Sequence, residues 1–161
     1  MPQTNCLTAA MLNVGMTHEA RVRFSHADVA RYCELANDRN AIHHDVAAAR
    51  VRFPGVDDII VPGGLLQIAI TGLFGTELPG DGSLGLTFEP ERMRKPVCPD
   101  EEVVIRLEVT RIRAGIIEFD VGVASANGDP ISGAKARVFA PDDNYRAWWL
   151  EHRAAPDEAT A

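Results

Sequence analysis

At 161 residues, 46% of them hydrophobic and 24% charged, the chain has the size and balance of one globular domain with a proper core. Its net charge of −7 argues against a nucleic-acid-binding surface and against a broadly basic membrane-binding face. Cys6, Cys33 and Cys98 have neither paired nor metal-type spacing, and no basic segment followed by an apolar run opens the chain, so free thiols and a cytoplasmic setting are expected.

In chain order, residues 1–13 read as a loose leader and 153–161 as a frayed tail, leaving a single domain over 1–161 with its core at about 15–140. Glu19 to Phe24 alternates as a first strand. Ser25-His26-Ala27-Asp28 is a capping-box pattern, and Val29, Tyr32, Cys33 and Ala36 follow at helical spacing, predicting a helix from about Ala27 to Ala36 that ends near Asn37. A small helix is expected around Val46–Val51. Pro62-Gly63-Gly64 opens a second helix from Leu65 to about Phe74, apolar on almost every side, which predicts full burial. The apolar run Gly64 to Gly75 is too short to span a bilayer and is broken by Gln67 and Thr71.

Strands then dominate. Leu84 to Arg94 is a candidate with a bulge at Pro90, and Val103, Ile105, Leu107 and Val109 alternate cleanly with polar neighbours. A turn at Ala114-Gly115 leads to Ile117, Phe119, Val121 and Val123, and Asn127-Gly128 signals a hairpin into Ile131 to Phe139. Asp142 to Trp149 reads as a short closing helix. One long central helix with about five antiparallel strands is an α+β architecture.

The informative segment is Asn37-Asp38-Arg39-Asn40-Ala41-Ile42-His43-His44-Asp45. An acid/base reaction near neutral pH wants a proton acceptor and a group that titrates nearby. Asp38 and His43 point apart on a regular helix but can converge on a turn after a helix end; the alternative is a helix-end aspartate and a satisfied surface histidine. At Pro62-Gly63-Gly64, backbone N–H groups with no side chain in the way form a donor site for a developing oxyanion; the alternative is a plain helix start. The adjacent His43, His44 and Asp45 do not converge on one ion, so no metal site is expected.

Phe24-Ser25, Asp28-Val29, the run Asn37 to Asp45, and Ile60-Val61-Pro62-Gly63-Gly64-Leu65 together resemble the MaoC-like family, which includes the (R)-specific enoyl-CoA hydratases. The similarity extends from about Gly15 to Ala140 and includes Leu78-Pro79-Gly80. The family's motif of Asp, any residue, Asn, Pro, an aliphatic residue and His reads here as Asp38-Arg39-Asn40-Ala41-Ile42-His43. The resemblance implies a hotdog fold, an antiparallel sheet wrapped around a long central helix. It implies a hydro-lyase acting on a trans-2-enoyl thioester, with Asp38 as general base and acid and His43 orienting the water. Gly63, with Gly64, then binds the thioester oxygen, Asn40 braces the loop, and Thr71 stands where such enzymes can have Ser. No cofactor is required; the substrate is an acyl-CoA or an acyl-carrier-protein thioester. The family habit of joining sheets edge to edge implies a homodimer, which a monomeric mass in solution would count against.

The sequence departs from the pattern at Ala41, in place of Pro, at Pro62, in place of a frequent His, and at Gly64, in place of a bulkier residue, often Met. The last two lie at the thioester-binding turn, where they bear on acyl specificity and reaction type. Arg39, His44 and Arg52 are read either as a solvated face or as ligands for a substrate carboxylate or the carrier's phosphates. Two further readings keep the fold: a thioesterase, or an enzyme adding an amine to the enoyl group, and a non-catalytic acyl-thioester-binding paralogue.

Overall fold

The alternation of apolar and polar residues is realised as one antiparallel sheet in a computed structural model that describes residues 4–154. Its strands are β1 (Thr17–Val22), β2 (Leu84–Pro90), β3 (Val103–Arg113), β4 (Ile116–Ser125) and β5 (Pro130–Phe139), in the spatial order β1-β3-β4-β5-β2. The helices are α1 (His26–Ala36), α2 (Val46–Arg52), α3 (Gly63–Thr76) and α4 (Asp143–His152). The expected α+β arrangement is therefore present. Ala114 and Gly115 both adopt positive φ (49° and 79°), which a two-residue turn with right-handed strand twist requires. Asn127-Gly128 lies inside a longer loop closed by Gly128 N–H to Ser125 O (2.9 Å) and Ser125 N–H to Asp129 O (2.9 Å).

Val103, Ile105, Leu107 and Val109 of β3 and Ile117, Phe119, Val121 and Val123 of β4 are all buried on one face of the sheet. Against them lies the α3 stripe Leu66, Ile70 and Phe74, spaced four residues apart, with the Phe74 ring 5.0 Å from that of Phe119. Each such side chain contributes about 1.5–3 kcal/mol by leaving water, so the helix is held to the sheet mainly by this row.

Three expectations need correction. First, α3 is not buried all round: Ile68 is half exposed and Thr71, Gly72 and Gly75 are exposed, because the sheet covers only one side of the helix. Second, β2 stops at Pro90 instead of running to Arg94; proline cannot donate to the ladder, and beyond it contact with β5 is reduced to separate bonds from Glu91 N–H to Gly133 O and Arg94 N–H to Ile131 O. Third, the described part of the leader is docked. Cys6 and Leu12 are buried, Asn5 N–H donates to Thr76 O (2.8 Å), and α4 clamps the segment through Arg146 to the Cys6 carbonyl and Trp149 Nε1 to Thr4 Oγ1 (3.4 Å). The remaining leader and tail, residues 1–3 and 155–161, lie outside the described residues.

The two sheet edges differ. β1 carries His18, Glu19 and Arg21, whereas β2 is exposed along almost its whole length and presents Leu84 and Leu86 to solvent. No helix among the described residues is long and apolar enough to cross a membrane.

Candidate active site

Asp38 is placed by the way α1 ends. Asn37 takes the left-handed conformation (φ 51°), and Asp38 N–H then donates back to Cys33 O (2.9 Å), closing the helix with the wide ring typical of such ends. The same residue is held at two further atoms. Its Oδ1 accepts from the Asn40 N–H (3.0 Å), and its carbonyl receives His44 Nε2 (3.0 Å). That leaves Oδ2 as the carboxylate oxygen directed at His43.

His43 ends a tight turn, Ala41–His43, in which its N–H bonds to Asn40 O (3.0 Å). Its ring is buried, and Nδ1 lies 2.6 Å from the Ile60 carbonyl. A carbonyl can only accept, so Nδ1 carries the proton and Nε2 of the neutral ring is an acceptor. Nε2 stands 3.8 Å from Asp38 Oδ2, too far for a direct hydrogen bond. Two proton acceptors at this separation suit one small donor with two protons.

The Ile60 strap carries the chain to the second half of the site. Ile60 N–H donates to Ile42 O (2.9 Å) and Val61 N–H to Val97 O (2.8 Å), so the segment is fixed on both sides before Pro62 starts α3. The Pro62 carbonyl accepts from Leu65 N–H (3.0 Å), but no side chain caps this helix. The N–H groups of Gly63 and Gly64 make no hydrogen bond to any described residue. They stand at the positive end of a 14-residue helix. Gly63 is three residues beyond Ile60, which limits its distance from the carbonyl that holds His43 to about 10 Å.

Two side chains that the sequence reading did not associate with this turn flank it. A Cβ on Gly63 would lie 3.7 Å from Met93 Cγ, and a Cβ on Gly64 would overlap the Tyr32 hydroxyl. The available signal was Gly64 itself: a glycine where a bulky residue is usual leaves room that some other side chain must fill.

The other sequence-selected residues do not gather here. Thr71 is eight residues along α3 from Gly63, about 12 Å on the helix axis, and its hydroxyl donates to Ile68 O (3.0 Å). It lines a separate cavity of about 330 Å³ with Phe74, Gly75, Ser83 and Leu86. Arg39 is exposed and donates to Asn37 Oδ1 (3.3 Å), while Arg52 lies over the Phe53 ring at 5.1 Å. His44 is occupied with the Asp38 carbonyl, and Asn40 ties the loop through its main chain, with no side-chain hydrogen bond to a described residue. Cys33, beside the site, is buried; burial pushes its thiol up, and the Asp38 charge adds to this, so it is poorly suited to act as a nucleophile.

No protein-family model matches the chain. It is 37% identical over 108 residues to an (R)-specific enoyl-CoA hydratase of Aeromonas caviae, across 66% of this chain and 78% of that protein. It is 30% identical over 113 residues to a 3-hydroxybutyryl-CoA dehydratase of Methylorubrum extorquens, across 70% of this chain and 69% of that protein. Among solved structures it resembles the A. caviae (R)-hydratase with a TM-score of 0.74 at 32% identity, over 81% of this chain and 98% of that one. An R-hydratase of Pseudomonas aeruginosa superposes with a TM-score of 0.79 at 25% identity, over 88% and 90% of the two chains.

Proposed function

We propose that this chain, which belongs to the MaoC-like hotdog family of (R)-specific enoyl-CoA hydratases, adds water to a trans-2-enoyl thioester or removes it from the (R)-3-hydroxy form. The observation that carries this reading is the pair of acceptors, Asp38 Oδ2 and His43 Nε2, set 3.8 Å apart and close to a helix start with unsatisfied donors. A water held between them donates one proton to each. Its oxygen attacks C3 of the enoyl group as Asp38 takes one of its protons. The π electrons shift toward the thioester, and the charge that develops on its oxygen is met by the Gly63 N–H. Asp38 then returns the proton to C2, giving the 3-hydroxyacyl thioester with nothing gained or lost but water. The Ile60 carbonyl holds the Nδ1 proton of His43, so Nε2 is the ring atom turned to the water.

The relatives act on thioesters of coenzyme A, and we take an acyl-CoA as the substrate here. The test is the loss of enoyl absorbance when the protein is added to crotonyl-CoA, with free thiol followed in parallel. Rapid loss without thiol release is expected. Asp38→Asn and His43→Ala should each slow the reaction by about 10²–10⁴-fold, the range for removing a positioned acid or base. Thiol release would instead indicate thioester hydrolysis, and full activity in Asp38→Asn would remove the aspartate from the mechanism.

A further inference from the structure

The turn at Gly63-Gly64 has a neighbour that the hydration scheme leaves unused. In an α-helix each Cα–Cβ bond is tilted toward the N-terminus. The space that a side chain at position 64 would enter therefore lies toward the end of α3 where the first N–H groups emerge. Tyr32 reaches into that space from α1: a Cβ on Gly64 would overlap its Oη and lie 2.8 Å from its Cζ and 3.2 Å from its Cε2. The hydroxyl thus rests on the Gly64 backbone, at the same end of the helix as the free donors.

The Tyr32 ring packs against the core, and its hydroxyl makes no hydrogen bond with any described residue. A partly buried tyrosine hydroxyl normally finds a partner. Tyr32 also borders an open groove of about 620 Å³ lined both by apolar side chains, Phe24 and Leu65 among them, and by the charged Arg21, Arg23, Asp28 and Arg31. Tyr32 is adjacent in sequence to Cys33, whose carbonyl fixes Asp38, so one short helix sets both groups relative to α3.

We propose that the Tyr32 hydroxyl is a further hydrogen-bond donor to the substrate's thioester oxygen, beside the N–H groups of Gly63 and Gly64, and that glycine at position 64 is what admits it. This rests on the reading of that turn as the thioester site. The hydroxyl donates its proton without losing it, and its bond strengthens as the oxygen becomes an enolate. It is worth most in the transition state, so its removal should lower kcat more than it raises KM.

The variant is Tyr32→Phe, which keeps the ring and its packing. With crotonyl-CoA, kcat is expected to fall about a hundredfold, as for loss of one oxyanion donor, with KM changed by less than about threefold and thermal stability kept. Unchanged kcat would reduce Tyr32 to a space-filling residue and overturn the proposal. A second measurement does not depend on turnover. Acetoacetyl-CoA has an enolate that absorbs separately from its keto form, and binding at a donor turn enriches the enolate. The wild-type protein should raise the enolate absorbance at saturating protein and Tyr32→Phe should raise it much less. Equal absorbance in the two proteins, or none in the wild type, overturns the donor role. Enolate enrichment that depends on Tyr32 in a protein that does not hydrate crotonyl-CoA would uphold this inference while removing the hydratase reading.

Discussion

The starts of α1 and α3 are built in opposite ways. At α1, Ser25 Oγ accepts from the Asp28 N–H (3.2 Å) while the Asp28 carboxylate accepts from the Ser25 N–H (2.9 Å), a reciprocal cap. Asp45 and Asp142 cap α2 and α4 in simpler form, through Ala47 N–H and Tyr145 N–H (both 2.7 Å). α3 begins at Pro62 with no capping side chain and continues through two glycines. A missing cap forgoes about 1 kcal/mol, and each glycine in a helix costs roughly 0.5–1 kcal/mol relative to alanine. The central helix of the fold therefore starts less stably than its smaller neighbours. The lesson is that a satisfied helix start is closed by its own side chains, whereas an uncapped one that begins with glycines leaves its N–H groups open to an acceptor from outside the helix.

The sharpest way to break this comparison is Gly63→Pro. The first position of a helix tolerates proline, and Pro62 already has the extended conformation (φ −58°, ψ 135°) that a residue before proline prefers. The change removes one N–H and little else from the backbone. Hydration of crotonyl-CoA should fall by about 10²–10³-fold, with the melting temperature nearly unchanged; retained activity would show that this donor is idle. A smaller effect, on stability, is expected for Gly64→Ala. The new methyl meets Tyr32 and forces the ring aside, as in other overpacked sites, at about 1–3 kcal/mol in urea unfolding. A change near zero would mean that Tyr32 moves away freely and does not hold its place over the turn.

Much of this arrangement is legible in the chain because its signals are local. Ser25 and Asp28 are three residues apart, and both halves of their cap form. The β3 and β4 alternations each report a single buried face and appear on it. Asp38 and His43 share one short loop, where spacing alone left two readings open and the family motif pointed to the pair. What escaped the reading depends on long-range packing. Tyr32 meets Gly64 across 32 positions, and nothing at either residue names the other. The docking of Cys6 needs Arg146 and Trp149 from the far end of the chain. The exposed side of α3 is equally hidden, since apolar composition shows what a helix can bury but not how much of it the sheet covers. Thr71, eight residues along α3 from Gly63, faces a cavity whose other walls, Ser83 and Leu86, come from a later part of the chain, which local spacing does not announce.

The smallest effect expected is at the capped start, and it carries a pH signature. The Ser25 hydroxyl and backbone N–H both bond the Asp28 carboxylate and hold it below the ordinary carboxylate range. A carboxyl whose folded pKa is depressed adds stability that is fully present above the unfolded value of about 3.9. That stability is lost as the pH falls through the lower, folded value. Ser25→Ala should therefore cost about 1 kcal/mol, or roughly 2–4 °C in melting temperature, near neutral pH. The gap to the wild type should narrow in acid, where the protonated Asp28 no longer accepts from Ser25 as an anion. Thermal melts of both proteins between pH 7 and pH 2 make the check. A gap that stays constant with pH would mean that the serine hydroxyl caps the helix without help from the carboxylate, and the contrast with α3 would then rest on one hydrogen bond instead of a reciprocal pair.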